Sequence, residues 1–217
     1  MIVSDIYNRV KRQFGDESGV QVTDTDILRW INDGQRQIVM ANEGLLETTA
    51  TSSSVVNDGD YSLPADLLIL RSVSYKAPGN AFYSQLKGMS FTAFNKYVDS
   101  WDGDTLTVGV PEVYTSYAGN IILYPIPSQA VTNGIKIYYQ RKPTDLTLSS
   151  ETPDLPVLYH ETLVKYCLQQ AYEMDEDWEA SVAKGTEFST DLSLLRGRED
   201  WKVQETYPVI SILPEDL

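Results

Sequence analysis

The stretch from Ile121 to Asp177 constrains the fold most, because a β pattern ends there and an amphipathic helix begins. It first reads ILYPIP and then IKIYYQRKPTDL, where apolar and polar residues alternate as in half-buried strands. It continues as PDLPVLYHETLVKYCLQQAYEMDED, whose apolar residues recur at helical spacing. Neither the β pattern nor the helix contains a set of residues typical of a catalytic site. The junction therefore indicates a chain that holds a shape against partners.

Two helices are predicted before the β region. The first begins near Val3, and Gly15 stands where a left-handed residue would end it. The second begins at Thr23, which with Asp26 resembles a capping box, and is expected to stop at Gly44.

The middle of the chain reads as short strands with frequent turns. Turn residues at 57–60 and at 133–134 separate alternating stretches, and residues 67–75 form a mostly apolar strand. Residues 90–99 are expected to form a short helix lying across the sheet. This spacing predicts an antiparallel sandwich or small barrel.

Two further helices are predicted after the β region. Pro153 and Pro156 flank Asp154, a pattern typical of a helix start. The last helix is expected to turn its apolar residues toward the other helices; they are Trp178, Val182, Phe188, Leu192 and Leu195.

We therefore expect an α+β fold in three parts. Residues 1–44 and 153–197 would form a four-helix body, and residues 45–152 would form an inserted antiparallel β-sandwich or barrel domain. Prolines interrupt the apolar residues of the last segment, so residues 198–217 are predicted to be an extended C-terminal tail.

Composition narrows the classes of partner. The chain carries 17 Lys and Arg against 31 Asp and Glu, a formal net charge of −14, and a surface of that sign repels phosphate. Tight nucleic-acid binding is therefore not expected. The single cysteine cannot form an intrachain disulfide, so packing alone must hold the fold. No stretch has the apolar length needed to cross a bilayer, and no membrane partner is expected.

No catalytic, cofactor or metal site is predicted. His160 and Cys167 lie seven residues apart on one helix, about 10 Å along its axis, too far for a base to reach a thiolate. With one His in the chain, neither a Ser-His-Asp triad nor a zinc cluster can be assembled. Acidic runs at 57–60 and 99–104 resemble fragments of calcium loops, but turn chemistry explains both. Paired carboxylates for glycoside hydrolysis stay open, because their separation is three-dimensional.

A further acidic cluster stands between the last two predicted helices. It consists of Asp175, Glu176, Asp177 and Glu179. These carboxylates could bind a metal in principle, but at the start of a helix they are already stabilised by its dipole. An acidic ring or lumen in an oligomer is the alternative reading.

Four segments, taken in order, carry a family resemblance across most of residues 4–195. They are DILRWINDGQRQI in the second helix, DYSLPADLLILRSVSY entering the sheet, IILYPIP with IKIYYQRKPTDL, and PDLPVLYHETLVKYCLQQAYEMDED. With this layout the chain resembles the head-to-tail adaptor (connector) proteins of tailed bacteriophages. It is similar in particular to the tail-tubular-A-like adaptors of short-tailed phages.

The resemblance implies a non-enzymatic virion protein without cofactors, made in the host cytoplasm. It implies a homo-oligomeric ring of about twelve copies that docks beneath the portal, extends the DNA channel and contacts a downstream neck, nozzle or tail protein. DNA would pass through without sequence-specific binding, and an acidic lumen would let it slide. The C-terminal tail would reach the portal through apolar residues, which are Trp201, Val203, Tyr207, Val209, Ile210, Ile212 and Leu213.

A second function from another class stays open. A β-sandwich ligand-binding module, such as a tail-fibre or capsid-associated carbohydrate-binding protein, would read sugars through exposed aromatic rings. The aromatic residues that favour it are Trp101, Tyr114, Tyr117, Tyr138 and Tyr139.

Overall fold

The computed structural model of the chain describes residues 1–98 and 107–203, and it confirms the α+β class. The chain divides into two compact units. One, the helical unit, comprises Met1–Leu45 and the described chain from Pro143 onward; the other, the β unit, is Leu46–Lys142. Among the described helices, none is long and apolar enough to span a bilayer.

Five α-helices and ten strands are described. The helices are α1 (Val3–Phe14), α2 (Asp24–Ala41), α3 (Phe91–Tyr97), α4 (His160–Met174) and α5 (Trp178–Val203). The strands are β1 (Glu47–Ser54), β2 (Asp60–Ser62), β3 (Leu67–Tyr75), β4 (Ser84–Gln85), β5 (Lys87–Gly88), β6 (Val108–Gly109), β7 (Val113–Tyr117), β8 (Asn120–Tyr124), β9 (Ile126–Pro127) and β10 (Val131–Arg141).

The predicted starts of α1 and α2 are confirmed. Gly15 follows α1 in the left-handed conformation, with φ of 94°, and the Thr23 hydroxyl accepts a hydrogen bond from the Asp26 amide at 3.2 Å. The predicted end of α2 at Gly44 is wrong. The helix ends at Ala41, because Asn42 takes an extended conformation and its side chain donates to the Ile38 carbonyl at 3.1 Å.

The predicted start of α4 at Asp154 is also wrong. A single 3₁₀ turn, Val157–Tyr159, comes first, and α4 begins at His160 without a side-chain cap. The Asp154 carboxylate instead accepts hydrogen bonds from the Thr144 amide and hydroxyl, at 3.1 and 3.2 Å. It therefore fixes the chain as it returns to the helical unit.

The helices α1, α2 and α4 each bury an apolar stripe, whereas α5 does not. Over residues 178–196, the part of α5 whose side chains are described, only Ser181 is buried. The prediction that Trp178 and Val182 face the other helices is wrong, because they are 61% and 68% exposed. Residues 198–203, predicted to be extended, continue α5 as helix.

Gly34 lets α2 approach α4 closely. A Cβ atom at this position would lie 2.6 Å from Leu163 Cδ1 and 2.8 Å from Tyr166 Cδ1. A helical Gly→Ala change ordinarily gains about 0.5–1 kcal/mol. Here Leu163 is fully buried and cannot move aside freely, so we expect Gly34→Ala to destabilise the fold by about 1–3 kcal/mol in urea unfolding.

Gly185 in α5 provides the matched control. A Cβ there would lie 3.1 to 3.2 Å from the end of the Gln169 side chain, which is only partly buried and can shift. Gly185→Ala is therefore expected to be neutral or stabilising. Equal destabilisation by both substitutions would contradict the assignment of Gly34 to a close helix contact.

The β unit is built from two open sheets that share one core, with no closed barrel among the described strands. One sheet has the order β1-β10-β3-β4 and the other β2-β8-β7-β5, and β6 and β9 form a short parallel pair. Both sheets contribute to one cluster of buried side chains: Tyr61, Val73, Tyr75, Leu86, Tyr114, Ile121, Leu123, Ile135, Ile137 and Tyr139. Phe94 of α3 forms a second cluster with Val98, Val113 and Ile122, which confirms the predicted short helix against the sheet.

The predicted turn at Asn133 and Gly134 is wrong. β10 runs through both residues, and Asn133 takes a φ of 51° while the β1–β10 register shifts between Ser52 and Ser54. Turn-type residues here produce a bulge instead, because one class of bulge also contains a residue with positive φ. Ala118 and Gly119, both at positive φ, form the turn between β7 and β8.

Candidate partner interface

His160 and Cys167 lie in the core of the helical unit. His160 is 1% exposed; its Nε2 bonds the Leu155 carbonyl at 3.1 Å, and its Nδ1 lies 2.9 Å from the Met1 amine. These contacts fit a neutral ring whose Nδ1 accepts and whose Nε2 donates. Burial raises the pKa of the Cys167 thiol, which disfavours the thiolate that a nucleophile requires. Both side chains therefore serve packing.

Burial of the neutral ring predicts an acid-sensitive fold. Desolvation lowers the pKa of His160 below its usual value of about 6.5, so the unfolded chain binds the proton more readily. The stability that His160 contributes is complete at pH values above its pKa in the unfolded chain. It declines as the pH falls toward its lower pKa in the folded chain. We expect urea unfolding to show less stability at pH 5 than at pH 7, with a smaller difference in His160→Gln. An identical pH dependence in the variant would contradict this role.

The acidic run at 57–60 is a turn. The Asp60 amide donates to the Asp58 carboxylate at 3.0 Å, and Asn57 takes a φ of 58°. The other acidic run, at 99–104, lies outside the described residues. Within the described ranges no three His, Cys, Asp or Glu residues are placed to hold a metal ion.

The acidic cluster of Asp175, Glu176, Asp177 and Glu179 lies exposed at the junction of α4 and α5. Asp177 caps α5, since its carboxylate accepts from the Ala180 amide at 3.1 Å. Asp175 accepts a hydrogen bond from the Gln21 side chain, which ties this junction to the loop before α2. Two of the four carboxylates therefore already have structural roles, and all four leave a strongly negative surface.

Charge is distributed unevenly between the two units. Residues 1–45 and 143–217 hold 23 acidic and 10 basic side chains, whereas residues 46–142 hold eight acidic and seven basic ones. Nearly all of the net negative charge therefore belongs to the helical unit. A helical surface of this kind repels nucleic-acid phosphate.

The helix α5 leaves large apolar side chains exposed within the described parts of the helical unit. Trp178, Val182 and Leu194 are each more than 60% exposed. Val182 borders an open groove of about 650 Å³, whose walls also include Tyr166, Phe188 and a row of Ser and Thr residues of α5. The hydroxyls of that row donate to carbonyls of α5 itself; they belong to Thr186, Ser189, Thr190 and Ser193. These four hydroxyls thus spend their protons within α5, and the open groove with its exposed apolar border suits a protein partner.

The α5 surface was missed in the sequence because its residues follow helical spacing. An apolar stripe of this kind is ordinarily buried, so the pattern alone assigns Trp178 and Val182 to the core. One signal was present. The stripe of α5 alternates with small hydroxyl residues at 186, 189, 190 and 193, which supply too little apolar area for a core.

The four described tyrosines that favoured a sugar-binding module do not share one surface. Tyr114 and Tyr139 are buried, and the Tyr139 hydroxyl donates to the Asp66 carboxylate at 3.0 Å. Tyr117 belongs to one sheet, and its ring stacks on that of Phe91 in α3, with 4.3 Å between the ring centroids. Tyr138 belongs to the other sheet, and the Lys136 ammonium lies over its ring. Trp101 lies outside the described residues.

The C-terminal residues that are expected to bind the portal lie partly outside the described residues. Trp201 and Val203 belong to the last turn of α5, where the backbone alone is described. The others lie outside the described residues: Tyr207, Val209, Ile210, Ile212 and Leu213.

Comparison with known proteins gives one family. The family model described as SU10 adaptor protein matches residues 1–209, nearly the whole chain. A search of curated proteins finds no match.

Proposed function

Since the chain belongs to the SU10 adaptor protein family, a structural family of bacteriophage virions, we propose that it forms a closed ring beneath the portal. The ring would contain about twelve copies related by cyclic symmetry. It would extend the DNA channel and join the capsid to a downstream neck, nozzle or tail protein.

The exposed surface of α5 is the observation that carries this proposal. One side of α5 packs on α4, where the Tyr166 and Phe188 rings lie 5.4 Å apart, but Trp178 and Val182 remain 61% and 68% exposed. An exposed Trp side chain is a typical anchor of protein interfaces. We propose that α5 packs against neighbouring copies in the ring.

The division into units suggests how the ring is organised. In this proposal the helical body, residues 1–44 and 153–197, forms the ring wall. The β domain, residues 45–152, faces the next neck or tail component. The C-terminal segment, residues 198–217, binds outside its own helical body, because its apolar residues require a surface to cover them.

The acidic cluster of Asp175, Glu176, Asp177 and Glu179 is proposed to line the lumen. Negative charge would keep DNA phosphates from binding by counterion release and would let the genome slide. A reconstruction of the ring tests this directly. A lumen with net basic potential would contradict it.

Negative-stain imaging of the purified chain, paired with a glycan array, separates the adaptor from a carbohydrate-binding module. We expect annular particles and no sugar signal. Monomeric particles with a reproducible glycan signal would favour the carbohydrate-binding function instead. The burial of Tyr114 and Tyr139, and the placement of Tyr117 and Tyr138 in different sheets, support the first outcome.

A further inference from the structure

The outer face of the sheet β1-β10-β3-β4 carries lysine side chains beside tyrosine rings. Ile135, Ile137 and Tyr139 of β10 are buried in the core that the two sheets share. Successive side chains of a strand point to opposite faces, so Lys136 and Tyr138 lie on the outer face. β10 therefore presents a cation and an aromatic ring on the side of the sheet away from that core.

Tyr83, in the loop between β3 and β4, joins a second lysine to this face. Its hydroxyl donates to the Asn133 carbonyl at 2.6 Å, which fixes the ring against the end of the sheet. The Lys76 and Lys136 ammonium groups lie 5.6 and 5.7 Å from the centre of the Tyr83 ring. Lys136 also lies 4.9 Å from the centre of the Tyr138 ring. The lysine–tyrosine patch consists of these four residues: Lys76, Tyr83, Lys136 and Tyr138.

No acidic side chain occurs in the segments that build this face. Residues 48–57, 72–86 and 131–141 contain neither Asp nor Glu, although the chain has 31 of them. Within the described residues the two lysines of the patch form no ion pair, whereas Lys165 and Lys184 of the helical unit do. Two ammonium groups beside one ring repel each other, so an anionic partner would stabilise them.

An exposed apolar ring borders the lysine–tyrosine patch. Phe82 directly precedes Tyr83 in the same loop, and its side chain is 82% exposed. Interfaces between proteins combine aromatic side chains of this kind with a polar rim. A partner that fits this surface therefore offers carboxylates next to a large apolar side chain.

The beginning of α5 presents that combination. Trp178 and Val182 stand four residues apart, so they share one face of the helix, and both are largely exposed. The acidic cluster of 175–179 flanks Trp178 on both sides in the chain. The indole of Trp is also the aromatic ring that attracts an ammonium group most strongly. This surface of α5 thus complements the lysine–tyrosine patch in charge and in apolar area.

Charge favours a second copy of the chain over nucleic acid as the occupant of the patch. The helical unit carries 23 acidic and 10 basic side chains, whereas the β unit carries eight and seven. The patch of one copy and the helical unit of another therefore attract each other. Duplex DNA that approaches the patch is repelled by the acidic helical unit of the same chain.

We propose that the lysine–tyrosine patch and Phe82 of one copy bind the Trp178 and Val182 surface of a second copy. The contact is heterologous, because each copy offers one of each surface, and contacts of this kind can close into a ring. The proposal rests on the proposed ring function, to which it adds the surface that α5 contacts on the neighbouring copy. It leaves the sheet β2-β8-β7-β5 to the downstream component.

Cross-linking between two variants of the full chain tests this contact. Phe82→Cys and Val182→Cys would be produced separately, mixed in equal amounts, allowed to assemble with and without portal, and treated with a short bismaleimide. We expect covalent dimers in the mixture on the order of tenfold above either variant alone, because the two cysteines meet only across the contact. Cys167 is buried and does not compete.

Two control mixtures match this design. Val56→Cys replaces the Phe82 variant in one, and Val20→Cys replaces the Val182 variant in the other, because both valines are exposed elsewhere in the same units. Equal yields in the control mixtures, or no cross-linking in either condition, would overturn the proposal. Rings without the cross-link would refute this contact alone, whereas cross-linked dimers that never reach ring size would refute the ring function.

Reversal of the patch charge gives a second readout. Lys76→Glu with Lys136→Glu is expected to weaken association on the order of tenfold or more in light scattering across a concentration series, because it places carboxylates opposite the acidic helical unit. Lys87→Glu with Lys96→Glu is the matched control, since both lysines are exposed in the β unit outside the patch and the net charge changes equally.

Equal weakening by the two charge-reversal variants would show general repulsion between copies and would overturn the proposal. A patch variant that assembles like the unmodified chain but no longer retains a duplex DNA probe would also overturn it, because the patch would then bind phosphate. Weakening confined to the patch variant, relieved at high salt in the unmodified chain as well, would support the charged contact.

Discussion

Replacing Trp178 and Val182 by serine is expected to abolish ring assembly while the chain stays folded. Both side chains are largely exposed in the single chain, so their loss should change the free energy of unfolding by no more than about 0.5 kcal/mol. Buried aromatic anchors at interfaces are worth about 2–4 kcal/mol each. The double variant should therefore weaken association at least about 30-fold, measured by light scattering across a concentration series.

Val20→Ser is the matched control, because Val20 is also exposed in the helical unit but lies on the loop before α2. It should assemble like the unmodified chain. Rings that persist undiminished in the Trp178 and Val182 double variant would show that α5 is not the contact between copies.

Replacing Asn32 and Gln35 by alanine is expected to lower the free energy of unfolding. This is the second largest effect that we predict. Asn32 forms two hydrogen bonds with the backbone of Leu146, at 2.8 and 3.0 Å. Gln35 is fully buried, and its carbonyl oxygen accepts from the Asp154 amide at 2.6 Å. These bonds hold the returning chain, residues 146–154, against α2. We expect the double variant to lose about 2–4 kcal/mol in urea unfolding.

Arg36 supplies the control for the hydrogen bonds of Asn32 and Gln35. It joins the same helix to the same segment through Asp145 at 2.7 Å, but both side chains are exposed. Arg36→Ala should therefore cost no more than about 1 kcal/mol. A larger loss from Arg36→Ala than from the double variant would contradict the assignment of stability to the buried amides.

Elements with local signals could be predicted from the sequence. The Thr23 cap, the left-handed Gly15 and the mostly apolar strand β3 each depend on a few adjacent residues, and each is found where the pattern places it. The short helix predicted over 90–99 is found as α3, where the Ser90 hydroxyl accepts from the Ala93 amide.

Features that depend on distant residues could not be predicted. Asp154 reads locally as a helix cap, but Thr144 and Gln35 bind it instead. Asn133 and Gly134 read as a turn, yet pairing with β1 keeps them inside a strand as a bulge. For α5, helical spacing cannot distinguish a stripe that faces its own core from one that faces another copy.

Size-exclusion chromatography with light scattering, with and without purified portal, tests the proposed adaptor function most directly. We expect a ring of about twelve copies that co-elutes with portal, or a smaller species that forms this complex once portal is added. A chain that elutes as a monomer under both conditions, with no complex in the mixture, would contradict it.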